Sequence, residues 1–136
     1  MGCCAFAADT RGMETVVNNH TTVFLVEDSP AIKLRLANML HKMTGVSIVG
    51  EADSAAAAIE GILRTRPDAV VLDIKLVGGS GIEVLCKVRP VEPSIRFIVL
   101  TNNADVQYRK VCMAAGADHF LDKASEFEKV KHLISA

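Results

Sequence analysis

At 136 residues, with 50% hydrophobic but only 4% aromatic content, the chain has room for one domain whose core is built mainly from Val, Ile, Leu and Ala. A second folded domain of ordinary size does not fit, and the composition excludes a disordered chain outside the termini. The formal net charge of -1 supplies no overall field toward nucleic acid or an anionic membrane, so binding must come from a local site.

Residues 1–20 lack hydrophobic periodicity and are expected to form a flexible leader before a folded domain over 21–136, with Met13 an alternative start of translation. Met1-Gly2-Cys3-Cys4 begins like a lipidation signal, but Phe6 stands where that pattern needs Ser or Thr. No apolar stretch is long enough for a signal peptide or a membrane span, which predicts a cytoplasmic protein with no membrane contact. Cys86 and Cys112 fall in predicted helices and are expected to pack as small apolar groups, as a reducing compartment allows.

From Thr21 onward, short apolar runs alternate with helix-period stretches, a pattern of βα repeats and a parallel sheet. The first strand is Thr22 to Val26. Ser29-Pro30 then caps a helix carrying Ile32, Leu36, Met39, Leu40 and Met43, which should end near Thr44-Gly45. A short second strand spans Val46 to Val49 and ends at Gly50. Asp53-Ser54 opens a helix through Leu63 that stops before Pro67, whose ring disfavours helical geometry in the residue ahead of it.

The third strand is Ala69 to Asp73. Gly78-Gly79-Ser80-Gly81 is expected to be a mobile loop, and Ser80 with Glu83 has capping-box spacing for a helix through Val88. Ile95 to Leu100 is a fourth strand, apolar enough to be covered on both faces. A helix from about Ala104 to Ala115 ends at Gly116. His119 to Leu121 is the fifth strand, and Ser125 with Glu128 opens a last helix from about Glu126, with Phe127, Val130, Leu133 and Ile134 facing the sheet. Met39, Met43 and Met113 are expected to fill the core. The fold class is therefore α/β: a doubly wound five-stranded parallel sheet with five helices.

Four of the strands run into polar residues: Glu27-Asp28 after the first, Asp73 at the end of the third, Thr101 after the fourth, Asp122-Lys123 after the fifth. In open α/β sheets the carboxyl ends of the strands share one edge, where ligands bind. Acids gathered there repel unless a hard cation sits between them. Mg2+ suits Glu27, Asp28 and Asp73, because it takes oxygen ligands and keeps waters for a phosphate partner. A metal, the Lys123 amine and the Thr101 hydroxyl around Asp73 would clamp a phosphoryl group on that carboxylate.

Phe24-Leu25-Val26-Glu27-Asp28-Ser29, Val70-Val71-Leu72-Asp73-Ile74-Lys75-Leu76 with Gly79-Ser80-Gly81, Val99-Leu100-Thr101-Asn102 and Phe120-Leu121-Asp122-Lys123 together resemble the receiver domain of bacterial two-component response regulators. The resemblance covers about Thr21 to Ala136 and is to the single-domain, chemotaxis-regulator-like type with a flavodoxin-like fold. It implies that Asp73 is phosphorylated by a sensor histidine kinase or phosphotransfer protein. It further implies that Asp28, Glu27, Asp73 and the Lys75 backbone carbonyl serve Mg2+, and that Thr101 and Lys123 contact the phosphoryl group. Phe120 would be the aromatic that turns inward when Thr101 is recruited.

Lys75 and Asn103 flank the path by which water attacks in this family, so they are candidates for tuning dephosphorylation; a solvated Lys75 is the alternative. The implied partners are a kinase and an unidentified downstream protein, and the resemblance also allows a second copy through the fourth helix, fifth strand and fifth helix. Arg109, Lys110, Lys129 and Lys131 there are read as ordinary surface charge, with a partner or dimer face as the alternative. Direct nucleic-acid binding is not expected.

Three departures stand out. Ala124 replaces a common cis proline, and a cis bond before alanine costs about 3 to 4 kcal/mol, which predicts a different loop. Val77 stands where a proline often follows, and Phe120 lacks a tyrosine hydroxyl. Two other functions remain open on the sequence: a magnesium-dependent aspartyl-phosphate phosphotransferase acting on small molecules, and an unphosphorylated pseudo-receiver acting as a binding module.

Overall fold

The computed structural model describes residues 20–135. The leader, with Cys3, Cys4 and Met13, lies outside the described residues apart from His20, whose Nε2 meets the Ser47 hydroxyl at 3.2 Å. Five strands, β1 (Thr21–Val26), β2 (Val46–Ala52), β3 (Ala69–Leu72), β4 (Arg96–Thr101) and β5 (His119–Asp122), alternate with five helices. The helices are α1 (Pro30–His41), α2 (Ala55–Thr65), α3 (Gly81–Val88), α4 (Val106–Ala114) and α5 (Lys129–Ser135). All five strands are parallel in the order β2-β1-β3-β4-β5, the doubly wound arrangement expected from the sequence. The order reverses between β1 and β3, and that reversal opens the crevice at their carboxyl ends.

Strand side chains alternate between two cores because successive Cβ atoms point to opposite faces. Phe24, Val26, Val70, Leu72, Phe97 and Val99 pack with Ile62 of α2, Val84 and Leu85 of α3 and Cys112 of α4. Val23, Leu25, Val71, Ile98 and Leu100 pack on the other face with Leu36 and Leu40 of α1 and with Phe127, Val130 and Ile134. Cover on both faces is why these strands read as unbroken apolar runs. Helix starts follow the local chemistry: Ser29 Oγ accepts the Ile32 N–H at 3.3 Å, and Ser54 Oγ accepts the Ala57 N–H at 3.2 Å. Gly116 follows α4 at φ 111°, and the Arg89 side chain occupies the space where a Cβ would stand.

Several expectations need correction. β2 continues three residues past Val49, through Gly50, Glu51 and Ala52, because Val49 forms a bulge that keeps the strand in step: Val23 pairs with Ile48 and Phe24 with Gly50. The glycine-rich stretch is not an open loop. Gly79–Ser80 pairs antiparallel with Lys75–Leu76, and the Val77 N–H donates to the Asp53 carbonyl at 3.1 Å. Ser80 caps α3 through the Ile82 N–H at 3.1 Å instead of reaching Glu83.

α5 starts at Lys129, later than Glu126, since a turn claims the preceding residues: the Asp122 N–H donates to Glu126 Oε1 at 2.9 Å and the Glu126 N–H to the Asp122 carbonyl at 2.8 Å. α1 ends at His41 and α4 begins at Val106 behind an Asp105 cap. Cys112 is buried, and burial pushes its thiol up to about 11. Cys86 and Met113 instead face outward, on the uncovered sides of α3 and α4.

Candidate functional site

Parallel register brings the polar strand ends together. Val26 pairs with Leu72, so Glu27 and Asp73 leave neighbouring strands side by side, and the Asp73 N–H donates to the Val26 carbonyl at 3.0 Å. Thr101 pairs with Asp122, and the Lys123 N–H donates to the Thr101 carbonyl at 2.9 Å. Lys123 then reaches back across β4, its Nζ 2.8 Å from Glu27 Oε1 and 2.9 Å from Asp73 Oδ2. Glu27, Asp73, Thr101 and Lys123 are at most 7% exposed, so this ammonium and its two carboxylates form a buried ionic cluster.

The remaining carboxylate oxygens are also held. Glu27 Oε2 accepts the Ser29 N–H at 3.0 Å, and Asp73 Oδ1 accepts the Ile74 N–H at 2.7 Å. Burial lifts the Glu27 carboxyl above its ordinary value, and the hydrogen bonds from Lys123 and Ser29 restore only part of the difference. Burial presses on the Lys123 ammonium in the opposite sense, yet its bonds to Glu27 and Asp73 outweigh that and hold it above the usual lysine value. Lys123 therefore stays charged at neutral pH.

One ammonium cannot balance the negative charge here. Oxygens of Glu27, Asp28 and Asp73 all lie within 4.8 Å of one another, with Asp28 the most open of the three. Three hard oxygen donors around a partly open position fit a small divalent cation such as Mg2+. With a cation in place, the notch would present positive charge to an anion beside a carboxylate, the arrangement that favours phosphoryl transfer.

The other residues singled out from the sequence fall around this notch at different depths. Thr101 is fully buried, and its Oγ1 accepts the half-buried Asn103's N–H at 3.1 Å. Lys75 is exposed at the start of the short ribbon. Phe120 is 6% exposed, with the Arg109 guanidinium 5.8 Å from its ring centre. The Lys123–Ala124 bond is trans, and the turn closes on Asp122, whose Oδ1 accepts the Ala124 N–H at 3.0 Å.

Three contributors escaped the sequence reading. The Ser29 and Ile74 backbone N–H groups fix the two buried carboxylates, and backbone donors leave no compositional trace. Gly81 is the third: a Cβ there would lie 2.1 Å from the Asp73 carbonyl oxygen, so only glycine lets α3 start this close to the acid. Its N–H donates to the Ile74 carbonyl at 2.7 Å.

The family model of the response regulator receiver domain matches residues 23–135. The chain belongs to this family. Over 108 residues the receiver is 32% identical to a putative transcriptional regulator of Pseudomonas aeruginosa, covering 79% of this chain and 52% of that protein. Over 101 residues it is 33% identical to the DNA-binding transcriptional activator DevR/DosR of Mycobacterium tuberculosis, covering 74% of this chain and 46% of that protein. The receiver thus spans about half the length of these curated relatives. The signal receiver domain of the putative response regulator NarL from Mycobacterium tuberculosis superimposes with a TM-score of 0.77 at 30% identity, covering 84% of this chain and 93% of that one. Among the described residues, no helix of the receiver is long and apolar enough to cross a membrane.

Proposed function

We propose that this receiver accepts a phosphoryl group on Asp73 from a histidine kinase or phosphotransfer protein and thereby switches a protein-binding face. The observation that carries the reading is the Lys123 ammonium held between Glu27 and Asp73 beside a third carboxylate, Asp28. Glu27, Asp28, Asp73 and the Lys75 backbone carbonyl would hold Mg2+, whose charge offsets that of the incoming phosphoryl oxygens. Asp73 attacks phosphorus through a carboxylate oxygen; the new O–P bond forms as the donor's P–N bond breaks, and the imidazole leaves. Lys123 can follow one phosphoryl oxygen without leaving the cluster, and the Thr101 hydroxyl can donate to another.

Recruitment of Thr101 would couple the site to Phe120, and so to the face formed by α4, β5 and α5, where a downstream protein or a second copy would bind. Lys75 and Asn103 would tune hydrolysis from the rim. The reading places the receiver in the cytoplasm with its kinase, as a signalling protein and not an enzyme.

Incubation with acetyl phosphate and Mg2+, followed by intact mass, is expected to give one phosphoryl adduct that disappears in Asp73→Ala. An adduct that persists in the variant, or none in the wild type, would overturn the assignment. Metal affinity gives a second check. The ionised carboxylates are the ligands, so protons compete with the cation. Because burial holds Glu27 above the ordinary carboxylate value, Mg2+ affinity should begin to fall on acidification from neutral pH before the ordinary carboxylate range is reached. Titration calorimetry showing constant affinity over that range would remove Glu27 from the ligand set.

A further inference from the structure

The contact between Arg109 and Phe120 joins α4 to β5 at the place where the proposed switch must act. Arg109 Nη1 donates to the Phe120 carbonyl at 3.4 Å, and the guanidinium carbon lies 5.8 Å from the Phe120 ring centre. The helix that carries Arg109 is lightly seated. Cys112 is its one fully buried residue, whereas Val106 and Val111 are 68% and 42% exposed. A helix with so little buried apolar surface shifts at low cost, so one polar bridge carries weight in fixing its position. Beside the bridge, a hollow of about 260 Å3 between Val106, Arg109, Phe120, Asp122 and Glu126 gives the ring somewhere to go.

We propose that Arg109 is a positioning residue that holds Phe120 in its buried setting before any phosphoryl group arrives. This rests on the receiver reading above and adds to it a resting bias in the switch. Phe120 has no hydroxyl with which to anchor itself in either setting; the arginine supplies the anchor from the neighbouring helix, through the ring face and the backbone carbonyl together. A guanidinium over an aromatic at a partly exposed site shifts a two-state equilibrium by about two- to five-fold. By linkage, a ligand that favours the buried ring gains at most the same factor in affinity from Arg109.

The test combines ring signals with ligand binding. Phe120 carrying a fluorine label is followed by NMR in the wild type, Arg109→Ala and Arg109→Lys, with and without beryllofluoride and Mg2+ as the phosphoryl mimic. In unliganded Arg109→Ala the ratio of buried to exposed ring should fall by about two- to five-fold, with beryllofluoride affinity weakened by no more than that factor. Saturating beryllofluoride should return the ring to its wild-type signal, a recovery that general loosening of α4 would not give. Arg109→Lys keeps the charge without the planar stack and should lie between the two.

An unchanged Phe120 signal in Arg109→Ala, or a change that saturating beryllofluoride leaves in place, overturns the proposal. Wild-type protein that neither forms an acetyl phosphate adduct nor binds beryllofluoride would sink the receiver reading instead. The unliganded ring signals would still decide the role of Arg109.

Discussion

Lys123→Met is expected to lower stability at neutral pH by about 3 to 5 kcal/mol, the usual cost of removing one partner from a buried ionic cluster. Methionine preserves most of the side-chain volume, so the loss is electrostatic and not a packing defect. Without the ammonium, Glu27 and Asp73 face each other from adjacent strand ends with no cation between them, both almost wholly shielded from water. The Glu27 carboxyl, already above its ordinary value, would be driven further up.

An acid raised in the folded state favours folding at low pH and forfeits that contribution as pH rises through its folded value. The variant should therefore recover stability when it is acidified from neutral pH to one nearer the ordinary carboxylate range. Wild-type Lys123 behaves differently: its raised value keeps the cluster's contribution intact below the ordinary lysine value, and that contribution is lost only in more alkaline solution. Urea unfolding at the two pH values measures the difference. Saturating Mg2+ should also restore part of the deficit by replacing the missing positive charge. A deficit that is equal at both pH values and insensitive to Mg2+ would show that Lys123 acts through packing alone.

Phe24→Ala should cost about 3 to 5 kcal/mol, the typical penalty for emptying a buried aromatic site. Phe24 is 2% exposed and lies between two glycines from different elements. A Cβ on Gly50 of β2 would lie 2.5 Å from its Cε2, and one on Gly61 of α2 would lie 2.6 Å from its Cζ. Both glycines are therefore spaces shaped for this ring, and Gly61→Ala in the wild type should destabilise despite alanine's better helix propensity. In the Phe24→Ala background the sign should reverse, since the same methyl then partly fills the void and the helix gains about 1 kcal/mol of propensity. Denaturant unfolding of the four proteins in this cycle gives the coupling directly. A Gly61→Ala effect that is the same in both backgrounds would dissociate the glycine from the ring.

The order and type of the ten main elements could be read from the chain because four of the five strands are runs of apolar residues leading into polar ones, and the first three helices open on Ser29-Pro30, Ser54 and Ser80. The convergence of Glu27, Asp28, Asp73, Thr101 and Lys123 could be read for the same reason: parallel strands put all their carboxyl ends on one edge. What could not be read depends on backbone partners or on contacts between distant segments. In sequence the apolar run of β2 stops at Gly50, whereas in the fold Gly50 stays in the strand and makes room for Phe24, 26 residues earlier in sequence.

The glycines after Val77 suggested looseness. Their positive φ values, 65° at Gly78 and 158° at Gly79, instead serve a tight antiparallel ribbon that returns the chain to α3 beside Asp73. Ser125 and Glu128 had the right spacing for a cap, but Asp122 and Glu126 had already claimed the turn between them. Spacing shows that a motif can form, and competition among neighbouring donors decides whether it does.

The bulge at Val49 has a consequence for how the molecule behaves in a crowd. β2 is an outer strand of the sheet, and a straight outer strand with free amide and carbonyl groups is a template on which another chain can polymerise. The extra residue at Val49 breaks the regular ladder just where such stacking would need it, and the exposed Glu51 adds a charge that an identical neighbour would have to face. The strand that makes room for an aromatic ring at Gly50 thus also guards the sheet against growing into a fibre.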